Sequence, residues 1–295
     1  MAGSPTQLAK LAFGIVDPVT MVVNFWDFDP GVAVEMQSTA GTTGQYDKPD
    51  ELMVENFVRV RPRLSAQPTA VELAFYLAWG MWGTPSGSGT VSYPIGDTPA
   101  ERTMHWKPKL GEQIFSPSVV CNRFTLRASV GEPLSAELEL IGKTYDDART
   151  DFPAGLDFDR TTRPFTLNRL ALVCDGVTTN TREFALSVFH AVDEERFLNS
   201  LTLTDYVKDD QVLTLALDVP TAAGLWKKAR TAGFSVVGTF TNGFGGTLTI
   251  TMGKFRAAVV GPTHPAKGEG FQRWEGELYQ TSTNRPLTTT LVTGP

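Results

Sequence analysis

Four glutamates carry the spacing that acid–base chemistry would look for. Glu137 and Glu139, and again Glu275 and Glu277, stand two residues apart within stretches that alternate apolar and polar residues. Each pair is therefore expected on one face of a strand, with its carboxylates roughly 6.5–7 Å apart. That distance overlaps the separation of the two acids in inverting glycosidases. Hydrolysis of a glycoside needs the acids on opposite sides of a bound sugar, however, and neighbours on one strand stand side by side. The pairs are read as an acidic strip facing water or a lumen. Asp146, Asp147, Asp151, Asp157 and Asp159 make a second acidic group. It lacks the glycine and closing glutamate of a calcium-binding loop and is read as a solvated segment.

Other reactive side chains are scarce. His105, His190 and His264 share no metal-ligand spacing with one another or with a cysteine. His190, next to Phe189 in an alternating run, is expected to be a partly buried packing residue. Cys121 and Cys174 lie far apart in alternating runs and are read as buried thiols, with a disulfide between them left open. The glycine-rich stretches Gly83 to Gly89 and Gly243 to Gly246 match no phosphate-binding or dinucleotide pattern and are read as turns. There is no Gly-x-Ser-x-Gly elbow. The expectation is a chain that binds or builds, with no catalytic residue, metal or cofactor.

Composition narrows the classes further. The chain has 295 residues and a formal net charge of -6, with both signs interspersed along it. That argues against a surface that grips nucleic acid by neutralising phosphates and leaves open a nucleic acid that slides past. The 27 glycines, 19 prolines and 10% aromatics fit many turns and short strands better than a helical bundle. The first thirty residues lack a basic start and an apolar core, and no run approaches the ~20 apolar residues of a membrane span, so synthesis in the cytosol is expected.

The elements that would position these residues are mostly strands. The clearest two-residue period runs from Val119 to Lys143, a hairpin turning at Gly131-Glu132-Pro133, and further alternations follow at Phe165 to Cys174, Phe184 to Val192 and Leu213 to Val219. Asn56 to Arg63 reads as a strand. Thr-rich strands are expected at Phe234 to Thr241, Thr247 to Val260, Phe271 to Gln280 and Leu287 to Val292. One helix is predicted near 68–81, with Pro68 near its first position, Glu72 in its first turn and Val71, Phe75, Leu77, Ala78 and Trp79 on its apolar face. A second is predicted near 221–232, ending at Gly233. Residues 84 to 102 read as a long hairpin tip. In the N-terminal stretch, Phe25, Trp26 and Phe28 form either an arm for a neighbouring subunit or a strand folded back on the core. The resulting division is 1–50 as arm and loop, 51–150 as a first β half and 151–295 as a second. Pro68-Thr69-Ala70 and Pro220-Thr221-Ala222 raise the option of two tandem similar halves.

The order of these segments resembles the tail tube (major tail) proteins of long, non-contractile-tailed bacteriophages. The likeness runs from about residue 50 onward. It is carried by Asn122-Arg123-Phe124-Thr125-Leu126 turning into Leu138-Glu139-Leu140-Ile141-Gly142-Lys143, by Arg163-Pro164-Phe165-Thr166, and by Leu213 to Val219 entering a helix at Pro220. Gly261-Pro262, Phe271 to Gln280 and Leu287 to Val292 complete it. The resemblance implies a mainly β fold, a β-sandwich or barrel with one or two flanking helices. It implies a structural virion protein whose subunits join as a hexamer, or as a pseudo-hexameric trimer of duplicated halves, in rings that stack into the tube for DNA ejection. The implied partners are further copies, a tape measure protein and tail terminator and baseplate proteins, with DNA passing through the lumen and no membrane. The implied location is the virion tail, after assembly in the host cytoplasm. On that basis Glu137 and Glu139 are expected to face the lumen, and loops 38–50 and 84–102, including Ser86, Gly87, Ser88 and Tyr93, to make contacts between rings. The alternative is a β-sandwich carbohydrate-binding or virion decoration module using Trp26, Trp82 and Trp106; a β-rich hydrolase built on Glu275 or Glu277 ranks third.

Overall fold

Strict alternation puts one side of each strand in oil and the other in water, and this chain repeats the device from end to end. The computed structural model describes residues 10–14, 21–22, 25, 27–38, 53–108, 113–148, 152, 164–165, 169–193, 205–208, 210–220, 225–259, 270–282 and 285–294. The strands β1 (Lys10–Gly14), β2 (Met21–Val22), β3 (Asp27–Asp29), β4 (Val32–Ser38), β5 (Met53–Val60) and β6 (Arg63–Ala66) precede helix α1 (Ala70–Gly80). Next come β7 (Thr90–Pro94), β8 (Arg102–Lys107), β9 (Ile114–Ser129) and β10 (Ser135–Gly142). Then follow β11 (Leu170–Cys174), β12 (Val177–Thr178), β13 (Glu183–Phe189), β14 (Val192–Asp193), β15 (Val207–Lys208) and β16 (Val212–Pro220). After helix α2 (Trp226–Thr231), strands β17 (Phe234–Thr241), β18 (Thr247–Val259), β19 (Phe271–Tyr279) and β20 (Leu287–Val292) close the order. The fold is mainly β, with a large antiparallel sheet and two helices among the described residues.

Two long strands fold this sheet over on itself. One edge of β9 pairs with β10, while its other edge passes from β8 to β13 around Val119–Arg123. One edge of β18 pairs with β17, while the other passes from β20 to β19 at Gly253. A wide layer results, in the order β3-β6-β10-β9-β13-β16-β19 and the C-terminal half of β18. A narrower layer runs β11-β17, the N-terminal half of β18, β20 and β7. Strands β8, β1 and β2 extend the N-terminal half of β9. Inward side chains of both layers, among them Phe124, Leu186, Leu215, Trp274, Phe240, Ile250 and Leu291, share one buried core. Full burial of such a side chain contributes roughly 1.5–3 kcal/mol. The stretches 51–150 and 151–295 thus meet in one sheet, through β9 with β13 and β7 with β20, and in one core.

The helices follow from local chemistry. In α1, Thr69 is the N-cap and Glu72 the third residue: Glu72 N donates to Thr69 Oγ1 at 3.3 Å and Thr69 N donates to Glu72 Oε2 at 2.8 Å. This capping box moves the start two residues past Pro68, which lies just outside the helix. The buried positions are Ala70, Leu73, Tyr76, Leu77, Trp79 and Gly80 together with Glu72, whereas Val71, expected on the apolar face, is 42% exposed. Helix α2 is short; Gly233, at φ 72°, ends it by donating its N–H to Lys228 O at 2.8 Å. Residues 221–224 lie outside the described residues.

Several expectations change. The strand read over Asn56 to Arg63 is two strands, broken at Arg61-Pro62 because proline cannot donate to the ladder. The centre of the supposed hairpin tip is β7, paired with β20. Asp27 to Asp29 fold back onto β6, and Phe28 packs 5.6 Å from Trp106, so the strand alternative holds for this segment. The sequence reading passed over β1, whose Leu11, Ala12 and Phe13 are buried. Loop 39–50 and most of the 144–163 joint lie outside the described residues.

Candidate functional site

The wide layer turns a polar face to water across all its strands. In the row through Glu139, the order is Asp29, Arg63, Glu139, Arg123, Phe189 and Val212; in the row through Glu137, it is Asp27, Ser65, Glu137, Thr125, Ser187, Thr214, Glu277 and Arg256. Further along, Glu183 and Asp218 stand beside Arg273. Carboxylates outnumber cations, and opposite charges sit across from one another. Arg123 lies 3.5 Å from Glu139, Arg127 3.7 Å from Glu137, and Arg273 3.1 Å from Glu183 and 3.6 Å from Glu275. Burial raises the Asp218 carboxyl above its ordinary range. Between the charged banks runs a trough of about 400 Å³ whose floor is Ala185, Ser187, Thr214 and Ala216.

Glu137 and Glu139 therefore do lie side by side on β10, each with an arginine partner on β9 that the sequence reading left out. The hairpin alternation contained the signal, since the turn at 130–134 sets Arg123 opposite Glu139 and Arg127, opposite Ser135, on the diagonal from Glu137. Glu137 and Glu277 share a row but are four inter-strand steps apart, about 19 Å, far outside the separation of a glycosidase pair. Among the described residues no group of histidine, cysteine, aspartate and glutamate converges as metal ligands would.

The outward face of the narrow layer is of another kind. Strand β18 presents Thr247, Thr249 and Thr251, flanked by Thr239 and Thr241 of β17 and by Thr288, Thr290 and Val292 of β20. Ala171 and Val173 of β11 continue it on one side, and Thr90, Ser92 and Pro94 of β7 on the other. All of these are at least partly exposed and none is charged. The sequence showed Thr-rich strands; that their hydroxyls form one array depends on pairings between strands distant in sequence.

The expected loop residues separate. Ser86, Gly87 and Ser88 are exposed at a tip closed by hydrogen bonds between Ser86 and Ser92, with Gly87 at φ 117°. Tyr93 is corrected: it belongs to β7, opposite Thr289, and is 5% exposed, so its ring belongs to the core rather than to the loop. Trp82 is likewise buried, its Nε1 donating to Cys121 O at 3.0 Å, and Trp106 is half-buried. Neither is an open platform for a sugar, and Trp26 lies outside the described residues.

His190 is wholly buried, not partly. Its ring stacks on Trp82 at 3.9 Å and 2°. Nε2 donates to Gly80 O at 2.7 Å, and Nδ1 accepts from the Gln211 amide at 3.0 Å. Since the carbonyl can only accept, the neutral imidazole with hydrogen on Nε2 satisfies both partners. Burial lowers its pKa to about 4. Trp82 and Ala191 have φ of 57° and 45°, left-handed conformations that cost a non-glycine residue about 1–2 kcal/mol each. Beside this seam Tyr206 donates to Ser118 O at 2.8 Å, Val192 N donates to Asn122 Oδ1 at 3.0 Å, and Lys208 pairs with Asp97. Cys121 and Cys174 are free and buried; burial pushes the Cys121 thiol well up and that of Cys174 to about 11, which removes them as nucleophiles at neutral pH. His105 is buried against Phe115, and His264 lies outside the described residues.

No helix among the described residues is long and apolar enough to cross a membrane. No protein-family model matches the chain, and no curated protein matches its sequence.

Proposed function

We propose that this chain is a structural subunit that assembles with copies of itself into stacked rings, forming the tail tube of a long, non-contractile-tailed bacteriophage. The observation that carries the reading is the polar face of the wide layer. It is broad and rich in hydroxyls, its carboxylates outnumber its cations, and Arg123, Arg127 and Arg273 are each engaged by a glutamate. A wall of that kind offers a passing polyanion few cations to exchange for its counterions, so DNA would stay mobile along it. In this reading Glu137 and Glu139 line the lumen, and the exposed tip at Ser86 to Ser88 reaches toward the next ring. The partners would be the tape measure, terminator and baseplate proteins of such a tail.

Sheet edges support self-assembly. Among the described residues β2, β3, β4 and β12 each pair along one side alone, and open edges invite strand pairing unless a neighbour covers them. A closed ring of like subunits covers them all at once. Negative-stain microscopy of the purified protein over rising concentration is the test. Rings or hollow rods are expected, and single particles at every concentration would refute the reading.

A further inference from the structure

We propose that copies of this chain join head to tail through the two outer edges of the wide layer, β3 of one copy pairing with the open edge of β18 in the next. The proposal rests on the reading that the chain assembles with itself and adds which edges meet.

The ground is a strand plan that the chain carries twice. In the first pass β1 pairs with β2 and β8, β3 with β6, β4 with β5, β6 with β10, and β9 with both β8 and β10. In the second, β11 pairs with β12 and β17, β13 with β16, β14 with β15, β16 with β19, and β18 with both β17 and β19. A helix enters at the same step, α1 after β6 and α2 after β16. Even an irregularity recurs. Between Arg102 and Met104 β8 advances two residues while β9 spans three, Val119 to Ser116; between Phe234 and Val236 β17 does the same against Phe255 and Met252. Bulges are built features of a fold, so the two passes are versions of one unit.

A shift of four strands along the wide layer therefore takes β3, β6, β10 and β9 onto β13, β16, β19 and β18. The two units meet inside the chain where β9 pairs with β13, from Glu183 opposite Ser129 to Phe189 opposite Arg123. Strand β18 is the second unit's β9, and β3 is the first unit's β13. Among the described residues β3 pairs with β6 alone, and β18 from Arg256 to Val259 pairs with β19 alone. The edges that meet inside the chain are thus left over at its two ends. Helix α2 is no obstacle: it packs on β18 as α1 packs on β9, and β9 still receives β13.

Burial records the missing neighbour. Phe28 and Phe184 hold matching positions, opposite Leu64 and Leu217. With β9 beside it Phe184 is buried, whereas Phe28, on the open edge, is half-buried. A partner of another kind would have to imitate β9 or β13; a second copy already carries the equivalents of both. Because the two edges differ, the contact is heterologous and repeats around a ring until the last edge is covered.

Hydrogen exchange of the wild-type protein tests both edges. The outward amides of Asp27–Asp29 and of Arg256–Val259 should exchange at least about tenfold more slowly in assembled than in dispersed protein, since they gain a hydrogen-bond partner. Unchanged exchange at either segment overturns the proposal. Spin labels on Asp29→Cys and Arg256→Cys, one label per copy, then show which edges meet; both positions are exposed and the native cysteines are buried. Mixed assemblies should give a distance under about 30 Å between unlike labels, against about 38 Å between like labels, the width of eight strands. Like labels closer than unlike ones would mean a two-fold contact and overturn the proposal. Rings or rods without these signatures overturn it and leave the tube reading standing. The signatures in assemblies that never form rings or rods would do the reverse, and a wild-type protein that never associates ends both.

Discussion

The polar face of the wide layer and the seam around His190 join the same two stretches of chain with the same kinds of side chain, yet the two regions do different work. On the face, Arg123, Arg127, Glu137 and Glu139 keep about 40–60% of their side-chain surface in water. Ion pairs so exposed contribute a few tenths of a kcal/mol to about 1 kcal/mol each. In the seam, His190 and Gly80 O are dehydrated and meet one partner per polar atom. Removing either partner strands the other, at roughly 1–3 kcal/mol. Burial, not residue type, decides which polar groups hold the molecule together. The exposed ones are therefore free to serve a task that has little to do with stability.

The comparison breaks first at His190. Replacing His190 with leucine leaves Gly80 O without the imidazole donor, leaves the Gln211 amide only its longer 3.4 Å bond to Gly96 O, and removes the ring stacked on Trp82. A loss of about 3 kcal/mol is expected, or a fall in Tm of roughly 5–10 °C, read from thermal or denaturant unfolding. A loss under about 0.5 kcal/mol would mean that the seam is no more costly to disturb than the surface.

Acid sharpens the same contrast. The folded pKa of His190, about 4, lies below its ordinary value of 6.5, so the unfolded chain binds the extra proton first. The contribution is complete above about pH 6.5 and declines as the pH falls toward 4, by up to about 3 kcal/mol. The groups that face His190 across the seam are Asp97 and Lys208. The hydrogen bond from Lys208 holds the Asp97 carboxyl below its ordinary range, which leaves the histidine as the group that titrates in this window. Unfolding of the wild type and of His190→Gln, compared at pH 7 and pH 4.5, should show their stability difference shrinking in acid. A constant difference would contradict the buried neutral tautomer.

Much of the face was legible in the sequence, and almost none of the seam. Strict alternation announced β9, β10, β13 and β16, and the short turn between β9 and β10 fixed their register, because a hairpin closes locally. The pairing of β9 with β13, and of β7 with β20 across nearly two hundred residues, leaves no local trace; each strand reads the same whatever its neighbour. The burial of Trp82 and His190 depends on those distant pairings. It also depends on left-handed turns at Trp82 and Ala191, where no glycine marks the bend. Tyr93 was misplaced because its surroundings are rich in glycine, serine and proline, while its own strand is only five residues long. Helix α1 begins two residues later than its proline suggests, because Thr69 and Glu72 outrank Pro68 as a start signal.

The smallest expected change in stability belongs to the face, and there the change in behaviour should be largest. Glu137→Lys with Glu139→Lys replaces two cross-strand ion pairs by like charges beside Arg127, Arg123 and Arg63. Each such contact costs about 0.2–1 kcal/mol on an open sheet, so the doubly substituted protein should fold and assemble. It would, however, gather cations where the native face holds carboxylates. Assemblies of the variant should retain short duplex DNA at low salt and release it as salt rises, with a log–log slope growing by about 0.9 for each phosphate neutralised. Wild-type assemblies should retain none under the same conditions. If both retain DNA equally, or neither does, the wide layer does not face the channel, and the charge pairing on it would need a different reason.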